Sequence, residues 1–120
     1  MVLNLPYPPS VNSYWRHPNK GKLAGRHLIS AEGRSYRRDV WVACRQQHPS
    51  VCLVGPVKMT IALTAPDKRR RDLDNTLKAL LDALTHAKVI EDDSMIKELH
   101  MSWLGVAKPG CADVIVERLT

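Results

Sequence analysis

Phenylalanine is absent from these 120 residues, and cysteine is scarce. Cys44, Cys52 and Cys111 are odd in number and show no C-x-x-C spacing. That argues against a disulfide framework and against a cysteine zinc site, and fits a reducing cytoplasm. No apolar run approaches the ~20 residues of a membrane span, so no membrane partner is expected. The N-terminus lacks the charged-then-apolar layout of a secretory signal. A glycine-rich phosphate loop is missing too, which counts against a nucleotide-binding protein, and no organic cofactor is expected. The five histidines have no metal-ligand spacing. There is no internal repeat, low-complexity tract or linker, so residues 1–120 are read as one domain. Hydrophobic residues at 44% and charged residues at 25% rule against global disorder.

What is present is charge, unevenly spread. The formal net charge is +6. Residues 51–71 carry five basic groups against one acidic, whereas residues 72–93 carry six acidic against two basic. A basic surface suggests a polyanionic partner. An acidic island directly behind it repels phosphate, and a bound divalent cation resolves that conflict. A solvated acidic helix on a basic protein is the plainer alternative.

Hydrophobic periodicity predicts the elements. Pro6, Pro8 and Pro9 limit residues 3–10 to a short edge strand and a turn. Residues 11–29 are polar and basic and read as a loop. Ser30 looks like an N-cap for a helix from Ala31 to about Gln47, with Tyr36, Val40, Ala43 and Cys44 on one face. Its Arg34, Arg37, Arg38 and Arg45 decorate the other faces. Val57 to Ala65 alternate in period two and predict a strand. Residues 67–73 form a charged extended link. A second helix is expected from about Asp74 to Ala87, with Leu77, Leu80, Leu81 and Leu84 as its apolar stripe. Residues 95–104 and the Val114–Val116 region read as two strands paired in a hairpin. The expected fold is therefore α+β, a small mixed sheet of about four strands packed with two helices.

Chemistry concentrates in the acidic island. Asp72 and Asp74 flank Leu73. In an extended segment their side chains share a face, with Cα atoms roughly 6.5–7 Å apart, and can bracket one hard cation. Asp92 and Asp93 follow the second helix and must fold back to meet them. The pattern fails as an EF-hand, since position 76 is Thr and position 83 is Ala. Plainer roles fit the same residues: Asp72 or Asp74 as a helix N-cap, Asp92 and Asp93 as turn residues. Lys68, Arg69, Arg70 and Arg71 precede Asp72 without a gap. Cations that hold a phosphodiester beside a metal that activates water match the needs of phosphoryl transfer. Lys78 lies four residues after Asp74, placed either to offset charge on the attacked phosphate or to form a surface pair.

The stretch D-K-R-R-R-D-L-D-N at 67–75, Lys78, Asp82-Ala83-Leu84 and V-I-E-D-D-S at 89–94 resemble the RusA family of Holliday-junction resolvases. The segments P-P-S-V-N-S-Y-W-R at 8–16 and S-A-E-G-R-S-Y-R at 30–37 resemble its N-terminal half. The resemblance covers nearly the whole chain. It implies a RusA-like fold, with Asp72, Asp74 and Asp93 as a Mg²⁺ site, for which Mn²⁺ is a possible substitute, and Lys78 as a further catalytic residue. It also implies a homodimer that binds four-way DNA junctions and nicks two opposing strands symmetrically, leaving 5′-phosphates, in recombination and repair. Members are often encoded by phages and prophages. Two departures stand out. Leu81 occupies a helix position where members can carry an aromatic, and Glu91 adds a third acid beside Asp92 and Asp93, leaving Asp92 as a possible additional acid.

Junction affinity is expected from Lys68, Arg69, Arg70 and Arg71, with Arg16, Lys20, Lys22 and Arg26 from the loop as further candidates. Tyr14 and Trp15 offer stacking surfaces for exposed bases, while Trp15 and Trp41 serve equally well as core residues. Two rival readings use the same residues: a metal-dependent nuclease acting on other branched or single-stranded nucleic acids, and a non-enzymatic basic DNA-binding protein.

Overall fold

A computed structural model of the chain describes residues 1–16, 21–22, 25 and 28–119. Lys20 and Arg26, named above as loop cations, lie outside the described residues. The elements in chain order are β1 (Val2–Pro6), α1 (Val11–Tyr14), β2 (Trp15–Arg16), β3 (Leu28–Ile29), α2 (Ala31–Gln47), β4 (Val57–Ala65), α3 (Leu77–His86), β5 (Ile96–Val106) and β6 (Cys111–Arg118). Two 3₁₀ turns, Leu73–Thr76 and Asp93–Met95, precede α3 and β5.

Strand β4 organises the molecule. Val57, Met59, Ile61, Leu63 and Ala65 are buried on one face, and the residues between them are half-buried on the other. This is the alternation a strand with one helix-covered face requires. Helix α2 begins where the sequence predicts: the Ser30 hydroxyl accepts from Gly33 N at 2.9 Å. Its Tyr36, Val40 and Cys44 face the core. Helix α3 adds Ala79, Leu80, Ala83 and Leu84 to the same cluster, with Leu77 and Leu81 half-buried at its margin. The end of α3 closes without glycine. Lys88 N donates to Thr85 O at 3.0 Å and Val89 N to Leu84 O at 3.1 Å, with Lys88 at φ 63. This paired geometry satisfies the orphan carbonyls and seats Val89 on Leu84.

The main sheet runs β1-β6-β4-β5. β4 pairs antiparallel with β6 and parallel with β5. The hairpin expected between the last two strands is therefore not formed, because β4 lies between them. The physical reason is the α3 crossover. A helix between two strands returns the chain to its starting end, so β5 aligns parallel to β4. The turn after β5 then passes over the end of β4, where Ala107 N donates to Ala65 O at 2.9 Å. Gly110 (φ +86) makes that passage, and a Cβ there would lie 3.0 Å from Thr64 O and Pro66 N.

Residues 11–16 are not the loop the sequence suggests. Ser10 caps the short helix α1, and β2 pairs with β3. Tyr14 is fully buried and so is removed from any stacking role. Trp15 is half-buried with its ring edge-on to Tyr14, at a centroid distance of 5.1 Å. Trp41, by contrast, is 45% exposed and is not a core residue.

Candidate active site

The turn Leu73–Thr76 carries the first acidic pair. Leu73 packs against the core, leaving Asp72 and Asp74 exposed on either side of it. Asp72 is still extended (φ −79, ψ 139), but the chain tightens into a 3₁₀ turn directly after it. The extended pair geometry expected from the sequence thus ends at Asp72. Asp72 occupies the N-cap position, yet its side chain makes no cap hydrogen bond. The capping alternative is therefore not realised. Thr76, on the same turn, buries a hydroxyl that has no partner among the described residues. Lys78 stands exposed in the first turn of α3, and among the described residues it forms no ion pair with Asp74.

Fold topology separates the three later acids by task. Glu91 accepts from Gly55 N at 2.7 Å and ties the α3–β5 connection to the turn before β4. Asp92 caps the second 3₁₀ turn, accepting from Ser94 N at 3.2 Å and from the Ser94 hydroxyl at 2.5 Å. Those bonds hold its carboxyl below the usual range. Asp93 opens the turn and has no side-chain partner among the described residues. The Asp93–Met95 turn packs against α3, while the Leu73–Thr76 turn packs against β5.

Among the described residues, no three His, Cys, Asp or Glu side chains converge into a cluster able to hold a metal. The shared three-carboxylate pocket expected from the sequence is therefore not formed by these side-chain positions. Three like charges repel one another, and exposed carboxylates are better solvated apart than gathered. The donor chemistry still fits a hard divalent ion. It is all oxygen, and Mg²⁺ commonly takes one or two carboxylates, several waters and a substrate phosphate.

The basic approach segment is partly self-neutralised. Asp67 accepts from Arg69 N at 2.9 Å and pairs with the guanidinium groups of Arg69 at 3.1 Å and Arg71 at 2.7 Å. These bonds, led by the Arg69 side chain, hold the Asp67 carboxyl far below its ordinary value. Arg71 is the more structural of the two. Its side chain is 17% exposed, its guanidinium also donates to Asp67 O, and it lies 5.9 Å from the Tyr7 ring centroid. Lys68 and Arg70 have no such partners and are exposed. This segment, with Trp103, Gly105 and Val106 of β5, lines a concavity of about 300 Å³. Arg16 is exposed on β2.

One cluster escaped the sequence reading. Tyr14 donates its hydroxyl to Asp82, and Arg37 donates to the same carboxylate through Nε at 2.9 Å and pairs through Nη2 at 2.7 Å. Arg37 Nε also reaches Tyr14 Oη at 3.1 Å. The clasp joins α1, α2 and α3, one helical turn from Lys78. Burial first, and then the bond to Asp82, push the Tyr14 hydroxyl well above the ordinary tyrosine value. The signal available in the sequence is that segments 8–16, 30–37 and 82–84, far apart along the chain, all carry the family resemblance.

These features define a small mixed α+β protein in which an all-oxygen acidic turn follows a basic segment and a helix-borne lysine. The family follows from comparison. The family model for endodeoxyribonuclease RusA matches residues 6–116, and the chain belongs to the RusA family. A crossover junction endodeoxyribonuclease of Enterobacteria phage HK97 is 41% identical over 106 residues, covering 88% of this chain and 83% of the relative. Crossover junction endodeoxyribonucleases of Escherichia coli K12 and Shigella sonnei are each 38% identical over 117 residues, covering 98% of this chain and 93% of the relatives.

Proposed function

We propose that this chain is a structure-specific endodeoxyribonuclease that resolves Holliday junctions by Mg²⁺-dependent phosphodiester hydrolysis, working in the cytoplasm in DNA recombination and repair. One observation carries the site assignment. Seven carboxylates lie between residues 67 and 93. Asp67, Asp82, Glu91 and Asp92 are engaged by arginines, a backbone amide or a serine. Asp72, Asp74 and Asp93 are not engaged by any of the described residues, and these are the three that the family resemblance implies. A carboxylate exempt from local bonding in an otherwise occupied set is available to a ligand.

In this reading Asp72, Asp74 and Asp93, which form no preassembled cluster, would hold the cation. When bound, Mg²⁺ or Mn²⁺ supplies an acidified water and offsets phosphate charge. Lys78 presents an exposed ammonium beside the turn and balances charge developing on the attacked phosphate. Lys68 and Arg70 hold the flanking backbone, and Arg69, Arg71 and Arg16 add further phosphate contacts. The 3′ oxygen departs, so the product keeps a 5′-phosphate. A four-way junction presents two equivalent strands, and one site per chain calls for a two-fold homodimer. Strand β5 lies at the sheet edge and exposes Leu99, Trp103, Leu104 and Val106, an apolar edge available for that pairing.

The test is cleavage of a fixed four-way junction with and without Mg²⁺, comparing the intact chain with Asp72→Asn and Asp74→Asn. Flap, duplex, single-stranded and RNA substrates run alongside. Each variant is expected to lose cleavage by more than about a hundred-fold, beyond the usual effect of removing a supporting partner, and to keep junction binding. Normal cutting by Asp72→Asn overturns the site. Preference for a flap or RNA overturns the substrate. Junction binding without any cleavage in either metal favours the non-enzymatic reading. Sedimentation at micromolar concentration checks the dimer.

A further inference from the structure

The proposed function leaves one strongly charged feature unused, the basic flank of α2. Arg34, Arg38, Trp41 and Arg45 recur at i, i+4, i+7 and i+11, so they form one stripe along the helix. From Arg34 to Arg45 the stripe rises roughly 16 Å. That length equals the axial rise of about five nucleotide steps of a duplex. The stripe lies to one side of the buried face made by Gly33, Tyr36, Val40 and Cys44.

Its surroundings are sorted by charge. Arg34, Arg38 and Trp41 line a concavity of about 400 Å³ that His86 closes from the last turn of α3. The acids of α2, Glu32 and Asp39, line a different concavity on the opposite flank, with Ser35 and the Pro6–Ser10 segment. Among the described residues no carboxylate lines this concavity, and Asp82 of α3 is neutralised by Arg37 at 2.7 Å. Arg38 makes no hydrogen bond among the described residues, while Arg34 gives one nitrogen to Ile29 O at 3.2 Å. Arg45 donates to Ala87 O at 2.9 Å and lies over the Trp41 ring at 5.3 Å, beside an indole that is 45% exposed inside the basic row. On α3, Lys78, Asp82 and His86 are spaced i, i+4 and i+8 and therefore share a face. The α2 stripe thus runs beside the same face of α3 that carries Lys78 at its upper end.

We propose that the α2–α3 flank is a second DNA-contacting surface, along which the sugar–phosphate backbone of a junction arm runs away from the site at Lys78. The occupant is a polyanion because the flank is cationic over its whole length and its one acid is internally paired. It is a regular, extended polyanion because the cations repeat along a straight helix rather than gathering in a cup. An exposed tryptophan in the row adds apolar contact with sugar, and arginine rather than lysine provides planar, forked donors suited to phosphate oxygens. This inference rests on the junction-resolving reading, since it assigns the arm that such a substrate must place somewhere.

The experiment measures junction affinity against salt concentration in the absence of divalent metal. The intact chain is compared with the double variant Arg34→Ala/Arg38→Ala and with the charge-keeping Arg34→Lys/Arg38→Lys. Two lost phosphate contacts are expected to flatten the slope of log K against log salt by about 1.8. The lysine variant is expected to keep the slope. Trimming the junction arms to a few base pairs should flatten the intact chain's slope and leave the alanine variant's unchanged. An unchanged slope in an alanine variant with intact circular dichroism overturns the proposal. So does equal sensitivity of both proteins to arm length. If the intact chain shows no preference for a junction over duplex, the resolvase reading fails, and the slope on duplex still decides whether the flank contacts DNA.

Discussion

The clasp between Tyr14, Arg37 and Asp82 permits the sharpest energetic prediction. Tyr14 is fully buried, and its hydroxyl is satisfied by Asp82 and Arg37. Replacing Tyr14 by Phe removes a hydrogen bond to a charged acceptor, an interaction typically contributing about 1.5–3 kcal/mol. The Arg37 and Asp82 side chains keep 26% and 30% exposure, so water screens part of the pairing. The lower end of the range applies, about 1.5 kcal/mol for Tyr14→Phe. Asp82→Asn keeps the shape and loses the charge that both donors share, and is expected to cost about 2 kcal/mol. The two losses are not independent, because each variant removes the same shared bond. The double variant should therefore cost about 1 kcal/mol less than the sum. In a chain of this size each kcal/mol lowers Tm by about 4 °C. Urea unfolding of the four proteins, read by both fluorescence and circular dichroism, measures the cycle. A coupling below about 0.3 kcal/mol refutes the reasoning, since it would mean the shared carboxylate contributes nothing beyond two separate contacts.

Three further outcomes follow from local geometry. Gly33→Ala places a Cβ 2.4 Å from Tyr14 O and 2.7 Å from an Ile29 side-chain carbon. Backbone must move, so a loss of about 2 kcal/mol or more is expected in denaturant unfolding, despite alanine's better helix propensity. Lys88→Gly relieves a left-handed residue at the α3 terminus (φ 63) and is expected to stabilise by about 0.5–1 kcal/mol in the same assay. Burial pushes the Cys44 thiol up to about 11 from its ordinary value near 9.0. A raised folded pKa means the stabilising contribution is complete below about pH 9 and is lost as pH rises toward 11. Stability of the intact chain should fall across that window by about 2–3 kcal/mol more than that of Cys44→Ala. Alkylation at pH 8 should correspondingly label the exposed Cys52 and spare Cys44.

What could be read from the chain without coordinates was what depends on neighbours in sequence. The Val57–Ala65 alternation and the Ser30 cap are local signals, and both elements begin and end where those signals place them. Adjacent strands 96–106 and 111–118 suggest a hairpin for the same local reason. Their separation by β4 is decided elsewhere, by a helix that returns the chain parallel. Residues 11–16 look like loop because four helical residues bury little on their own. Tyr14 is buried only because α2 and α3 close over it. The missing side chain of Gly33 is what admits the Tyr14 carbonyl, an approach between segments that no local signal discloses.

The acidic residues show the same division at the site itself. Glu91, Asp92 and Asp93 are three adjacent carboxylates, and adjacency alone does not select a metal ligand among them. A distant partner, Gly55 N, takes Glu91, and Ser94 two residues on takes Asp92 inside a 3₁₀ turn that only the folded chain forms. Asp93 is left over. Likewise a run of four cations reads as four equivalent phosphate contacts, yet Asp67 engages Arg69 and Arg71 and leaves Lys68 and Arg70. In the proposed reading, the residues with a ligand to bind are in both cases those the fold declines to satisfy. That criterion needs a structure, because a side chain's lack of partners is a property of everything around it. It also separates Arg38 from Arg37, which the sequence presents as twins. Arg37 is already paired with Asp82, so a polyanion on that flank must be held by its neighbours, and the salt dependence of binding should follow Arg34 and Arg38 rather than Arg37.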